Sequence, residues 1–233
     1  MKKNNIFWVS FSDLMTSLFF VMLVLFVLAI GFLQVKINEN EALIDELKQK
    51  QEASEKEKKK LKEINEALKN LDPQNFMYSE QFKKHILKTE LIDSNGEPGF
   101  PEGESNIMSL SVDTRTQLRI AGYNLMDKML TYYKKYPEIQ YLIIIEGQAS
   151  RDNSPVNDKL SYERALALRD FWFNNREPNL SAHQYINKYL PNCEIIIAGS
   201  GQYGIPRDTP DTPPKNQRFL VTIIPKYGAI EKD

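Results

Sequence analysis

Phe7-Trp8-Val9-Ser10-Phe11-Ser12-Asp13-Leu14-Met15-Thr16-Ser17-Leu18, followed by an uncharged run to Val35, decides what kind of protein this is. Leu14 to Val35 is 22 residues without a charge. As a helix it is about 33 Å long at roughly 1.5 Å per residue, enough for a hydrocarbon core of roughly 30 Å. A cleaved secretory signal peptide is the competing reading, since Met1-Lys2-Lys3 is basic and Ala29-Ile30-Gly31 resembles a small-x-small cleavage site. The apolar run is too long for an ordinary signal core, which favours a retained anchor. Lys2 and Lys3 then hold the N-terminus in the cytoplasm and place everything after Lys36 outside the inner membrane.

Asp13 is the only charged residue between Asn4 and Val35. Ser10, Asp13, Thr16 and Ser17 fall at i−3, i, i+3 and i+4, one polar stripe on an otherwise apolar helix. A carboxylate at the bilayer centre costs about 2.5 to 3.5 kcal/mol even on the lenient insertion scale. It persists where it faces a partner or a water-filled path. The plainer alternative is an acid resting at the interface near a helix N-terminus, with Trp8 as a belt residue. The apolar pattern begins at Ile6, two turns earlier, which favours a functional Asp13.

Trp8 to Thr16 resembles the start of the MotB-type stator subunits of ion-driven rotary motors, and its wording is closest to the ZorB subunits of Zorya anti-phage defence systems. The resemblance implies that Asp13 carries the translocated ion, H+ or Na+, with Thr16 as the polar neighbour on its face. It also implies a dimer of this helix inside a ring of five MotA-like (ZorA-like) multi-pass subunits. No further cofactor follows from it, and it leaves open whether the output is defence or motility.

From Lys36 to Asp72 about half the residues are charged, with both signs interspersed and Glu46/Lys50 and Glu52/Lys56 at i,i+4 spacing. Ile37, Ile44, Leu47, Leu61 and Leu68 suggest a heptad seam that Gln51 to Lys60 interrupts. A solvated spacer helix and a coiled coil both remain open; either sets distance, about 35 residues of helix being roughly 50 Å. Asp72-Pro73 ends the helix, and Asn95 to Pro101 reads as a loop. The intervening Phe76 to Ile92 is ambiguous between support for the next domain and packing onto it. The sequence thus divides into 1–35 (tip and transmembrane helix), 36–72 (helical linker), 73–104 (connecting segment) and 105–233 (globular domain).

In the last segment Ile107–Val112 reads as a strand and Leu118–Tyr133 as a helix ending at Tyr136-Pro137. Tyr141–Ile145 reads as a strand buried on both faces, Leu160–Trp172 as a helix, and Ile195–Ala198 and Phe219–Ile224 as two more buried strands. The order βαβαββ gives an α+β sandwich with helices on one side of a small mixed sheet.

Asn157-Asp158-Lys159-Leu160-Ser161-Tyr162-Glu163-Arg164-Ala165 resembles the N-x-x-L-S-x-x-R-A signature of OmpA-like peptidoglycan-binding domains, and Asn216-Gln217-Arg218-Phe219-Leu220 resembles the start of their last strand. The resemblance implies that Arg164 pairs with the diaminopimelate carboxylate of the wall peptide, with Asn157, Ser161 and Arg218 in the same site. A planar guanidinium fork suits a carboxylate. Where the family has Gly-His-Thr-Asp, this chain has Gly147-Gln148-Ala149-Ser150, so the acid that binds the peptide ammonium is absent in place and Asp152 is the nearest substitute. Structural roles compete: Ser161 as a helix N-cap, Arg164 as an exposed first-turn side chain, Asn157 as a turn residue beside Pro155.

A net charge of −1 gives no nucleic-acid signature. His85, His183 and Cys193 form no metal, phosphate-loop or nucleophile pattern, so the chain does not read as an enzyme. Three functions compete: a stator subunit, a passive tether from membrane to wall, and a TolR/ExbD-type energiser. The wall-binding signature and the Ser-Asp-Leu-Met-Thr frame argue against the third.

Overall fold

The computed structural model describes residues 4–174, 180–208 and 216–226. Lys2 and Lys3, on which membrane orientation rests, lie outside the described residues, as do the side chain of His183 and the last seven residues of the globular segment. The chain forms two compact units, Met1–Lys60 and Leu61–Asp233.

Helix α1 (Asn4–Lys69) runs without a proline, the first being Pro73. Among the described residues it is the one helix long and apolar enough to cross a membrane. Its side chains from Trp8 to Gln51 are all exposed, including every large apolar residue from Leu14 to Val35. The helix continues through Gln51–Lys60, where the heptad seam fails, and exposed pairs such as Glu46–Lys50 (2.6 Å) line its charged stretch. Leu68, which the heptad spacing puts in the seam, instead packs with Ile64 and Leu71 in the core of the second unit, all three at most 3% exposed. His85 fastens this last turn to the sheet: Nε2 lies 2.9 Å from the Leu68 carbonyl and Nδ1 lies 3.3 Å from that of Val221.

The second unit is α+β with a mixed sheet, the class expected after a long apolar helix. Its strands are β1 (Phe76–Ser79), β2 (Lys84–Leu87), β3 (Gln140–Gly147), β4 (Cys193–Gly199) and β5 (Phe219–Lys226), in the spatial order β1-β2-β5-β3-β4. Among the described strands only β3 and β4 run parallel. The helices are α2 (Val112–Lys135), α3 (Asn157–Phe173) and α4 (Ala182–Tyr189).

The first strand of the expected βαβαββ order is not where the sequence placed it. Ile107–Ser109 is a 3-10 turn, and Leu110 makes only an isolated bridge to Asp93. Two caps leave no room for an extended run: Asn106 accepts from the Met108 N–H, and Ser111 accepts from the Thr114 N–H to start α2. The outer strands come instead from the ambiguous Phe76–Ile92 stretch, as the hairpin β1–β2 paired to β5. Helix α4, with a Ser181/Gln184 capping box, is an addition to the expected order.

The strands are also not buried equally on both faces. Tyr141, Ile143 and Ile145 on one face of β3 are at most 1% exposed and meet the helices, whereas Leu142 and Ile144 are half-buried. Ile196 on β4 and Ile224 on β5 are exposed on that second face. Apolar runs there reflect β propensity rather than full burial.

Leu68→Ala should destabilise the second unit by about 2 to 5 kcal/mol, the usual cost of a core leucine. Leu47→Ala, on the exposed stretch, should leave it unchanged. Chemical denaturation followed by the near-ultraviolet signal of Trp172 checks both.

Candidate functional site

The N-x-x-L-S-x-x-R-A segment opens α3, and two glycines fix where α3 lies. Gly147 and Gly199 are register partners at the ends of β3 and β4. A Cβ on Gly147 would stand 2.1 Å from the Ser161 carbonyl oxygen, and one on Gly199 would stand 2.5 Å from the Tyr162 nitrogen. The helix therefore sits directly on the strand ends, closer than any side chain permits. At the far end of α3, Gly122 on α2 makes similar room for Trp172, whose Nε1 donates to the Leu118 carbonyl at 2.7 Å.

Ser161 is fully buried in the second turn. Its Oγ donates to the Asp158 carbonyl (2.8 Å) and accepts from the Gly201 N–H (2.9 Å), joining α3 to the turn after β4. It is not an N-cap: the helix begins at Asn157, and Val156 stands before it without a side-chain cap. Asn157 is also more than a turn residue. It is 5% exposed, and its Nδ2 donates to the Ser150 carbonyl (3.1 Å) and to Asp152 Oδ1 (2.6 Å), closing the β3–α3 loop.

Arg164 is 4% exposed, which removes the reading of an idle first-turn side chain. Its Nε donates to the Glu104 carbonyl at 2.9 Å, and its guanidinium carbon lies 4.5 Å from the centroid of the Phe100 ring. Among the described residues neither Nη is hydrogen-bonded and no carboxylate forms an ion pair with it. Burial pulls the guanidinium down to about 10, with the field of Asp152 working the other way. It stays charged at neutral pH: a recessed cation whose Nη donors are uncommitted among the described residues.

Asp152 is exposed, and its carboxylate is held below the ordinary range by the Ser154 N–H and then by Asn157. Asp152 is thus oriented and ionised near Arg164 without touching it. Arg218 differs: Nε donates to Gln148 Oε1 (3.0 Å), one Nη to Asp208 (2.9 Å) and the other to the Pro206 carbonyl. All three nitrogens are engaged within the chain, so Arg218 clamps the loop that follows β3.

The sequence reading missed the contribution of the connecting segment. Phe100 and Glu104 supply the stack and the acceptor for Arg164, and Gln217 ties that segment to the β3–α3 loop. Its Oε1 accepts from the Phe100 N–H (2.8 Å) and its Nε2 donates to Ser150 Oγ (2.9 Å). Ser150, standing where the resembled family has its acid, is thereby part of a structural bridge. An aromatic between Gly99 and Pro101 was the available signal; Gly99 has φ +94° and lies where a Cβ would meet Gln217 Oε1 at 2.8 Å.

The N-terminal residues belong to the first unit, on α1. Ser10, Asp13, Thr16 and Ser17 are all exposed, and Thr16 Oγ1 donates back to the Ser12 carbonyl at 2.8 Å. Trp8 and Phe11 pack edge to face beside them. Cys193 is buried at the start of β4, and burial pushes its thiol up to about 12, which leaves it inert. No cluster of three or more metal-ligating side chains occurs among the described residues.

No protein-family model and no curated protein matches the chain. Among solved structures it is similar to the periplasmic domain of MotB, at 14% identity over 67% of this chain and 70% of that one, with a TM-score of 0.35. It is similar to the OmpA-like domain of FopA1 from Francisella tularensis, at 16% identity over 64% and 79%, TM-score 0.32. The cell wall anchor of the T6SS from Pseudomonas aeruginosa follows at 12% identity over 65% and 87%, TM-score 0.35. At these identities and scores no residue role passes from those proteins to this chain.

Ser161→Ala should cost about 1 to 3 kcal/mol, because the buried Gly201 N–H loses its acceptor. Urea denaturation of the variant against wild type measures it.

Proposed function

We propose that this chain is a single-pass inner-membrane stator subunit whose second unit holds the cell wall and whose Asp13 carries the translocated ion. The observation that carries the reading is Arg164, a guanidinium that is 4% exposed, stacked on Phe100 and without an ion-pair partner among the described residues. A buried cation left unpaired is costly unless a partner completes it. A carboxylate is the partner that matches its fork. In this reading the wall peptide's diaminopimelate carboxylate binds Arg164, and Asp152, fixed by Asn157 and the Ser154 N–H, takes the peptide ammonium in place of the family acid. Asn157, Ser161 and Arg218 act by holding the two loops that frame the site.

For the membrane end, support comes from a lone carboxylate in the otherwise uncharged stretch from Asn4 to Val35, with Ser10, Thr16 and Ser17 on its face. One helix cannot enclose an ion path, so the proposal includes two copies of this chain inside a ring of five MotA-like partners. The Trp8–Thr16 wording favours a Zorya-type complex, whose output would be defence against phage. The N-terminus is cytoplasmic and the second unit periplasmic.

Asp13→Asn is nearly isosteric and removes a charge that the proposed complex would bury, so the complex should insert and assemble while the coupled output is abolished. Partner co-purification and phage plaque counts, or swimming if the surrounding genes serve motility, are read together. Wild-type output from an assembled Asp13→Asn complex would leave the chain a passive tether.

Arg164→Ala should weaken sedimentation with purified peptidoglycan sacculi by roughly tenfold or more, since a hydrogen bond to a charged group contributes about 1.5 to 3 kcal/mol. Unchanged sedimentation would remove the wall from the account.

A further inference from the structure

An arginine offers a carboxylate two bidentate edges, one through Nε with an Nη and one through the two Nη groups. In this chain the first edge is taken. Arg164 Nε donates to the Glu104 carbonyl at 2.9 Å, and the guanidinium carbon lies over the Phe100 ring, 4.5 Å from its centroid. Both groups belong to the segment before α2, whose sequence reads as a connector.

That segment is fastened where it matters. Phe100 is 5% exposed, its ring meets Phe219 edge to face at 6.2 Å, and its N–H is held by Gln217, which also holds Ser150. The turn after it closes through the Glu104 N–H and the Pro101 carbonyl at 3.1 Å, with Gly103 at φ +73°. The Phe100 ring is thus a fixed platform and the Glu104 carbonyl a fixed acceptor.

We infer that Phe100 and the Glu104 carbonyl are positioning groups that lock the Arg164 guanidinium in plane and reserve its two Nη groups for end-on capture of a carboxylate. Phe100 touches no reacting atom; it acts through Arg164. The aromatic face offsets part of the solvation that the buried guanidinium loses, and it leaves the edge donors free. A locked fork also loses less side-chain freedom on binding than a mobile one. The connecting segment therefore completes the site, and a domain cut after residue 104 lacks both groups.

The inference rests on the wall-binding reading for its ligand, but its geometry can be read without one. Phe100→Leu keeps apolar volume and removes the π face; Phe100→Tyr restores it. In the full-length protein in detergent, the exchange of the Arg164 Nε proton with water is measured by nitrogen-15 NMR. It should speed up several-fold in Phe100→Leu and stay near the wild-type rate in Phe100→Tyr, with thermal stability showing that both variants fold. An unchanged rate in Phe100→Leu overturns the inference, whether or not the protein binds walls. On purified sacculi, Phe100→Leu should retain several-fold less protein than wild type, Phe100→Tyr should recover it, and Phe100→Leu should add no loss in an Arg164→Ala background. An equal loss in both backgrounds overturns the positioning role. Failure of wild type itself to bind sacculi overturns only the wall reading, the proton-exchange result still standing.

Discussion

The seating of α3 on the ends of β3 and β4 is the constraint on which the rest of the second unit depends. It exists because Gly147 and Gly199 are paired in register and neither has a Cβ that would strike the helix backbone. Ser161 then reaches both its own helix and the Gly201 N–H, and Asn157 at the first turn closes the loop from Ser150 to Asp152. One helical turn beyond Ser161, Arg164 meets Phe100 and Glu104. A small displacement of α3 would break all three contacts together, because cores this tightly packed relax only partly.

Two ionisable groups stand out because neither forms an ion pair among the described residues. Asp13 has no charged neighbour in sequence from Asn4 to Val35, and Arg164 has no ion-pair partner among the described residues. Isolated charges in apolar surroundings are expensive and are kept where a partner arrives from outside. The proposed function gives each its partner: a translocated cation for the carboxylate, a wall carboxylate for the guanidinium. Arg218 is the instructive contrast. It belongs to the same motif-bearing end of the sheet, yet each of its three nitrogens is already bonded, to Gln148, Asp208 and Pro206.

Much of this was legible in the residues. The long apolar run and the helical motif starting at Asn157 carry strong local signals, one of length and the other of spacing. The strand at Ile107–Val112 was not there, because Asn106 and Ser111 cap turns at either side of it and local hydrogen bonds outweigh β propensity. The hairpin at Phe76–Leu87 was obscured by its four-residue strands, too short to display an alternation. Leu68 looked like a seam residue because core burial by a domain and burial by a partner helix need the same spacing. Phe100, for all its place between Gly99 and Pro101, and Gln217 do not read as site residues, since they reach Arg164 and Ser150 through contacts distant in sequence.

The central claim is that Arg164 presents a planar fork to a wall carboxylate, rather than a simple positive charge. Arg164→Lys separates the two, because an ammonium keeps the charge and loses the fork. In full-length protein with purified sacculi, the account predicts that Arg164→Lys binds nearly as poorly as a variant without the charge. Sedimentation of Arg164→Lys equal to wild type would contradict it.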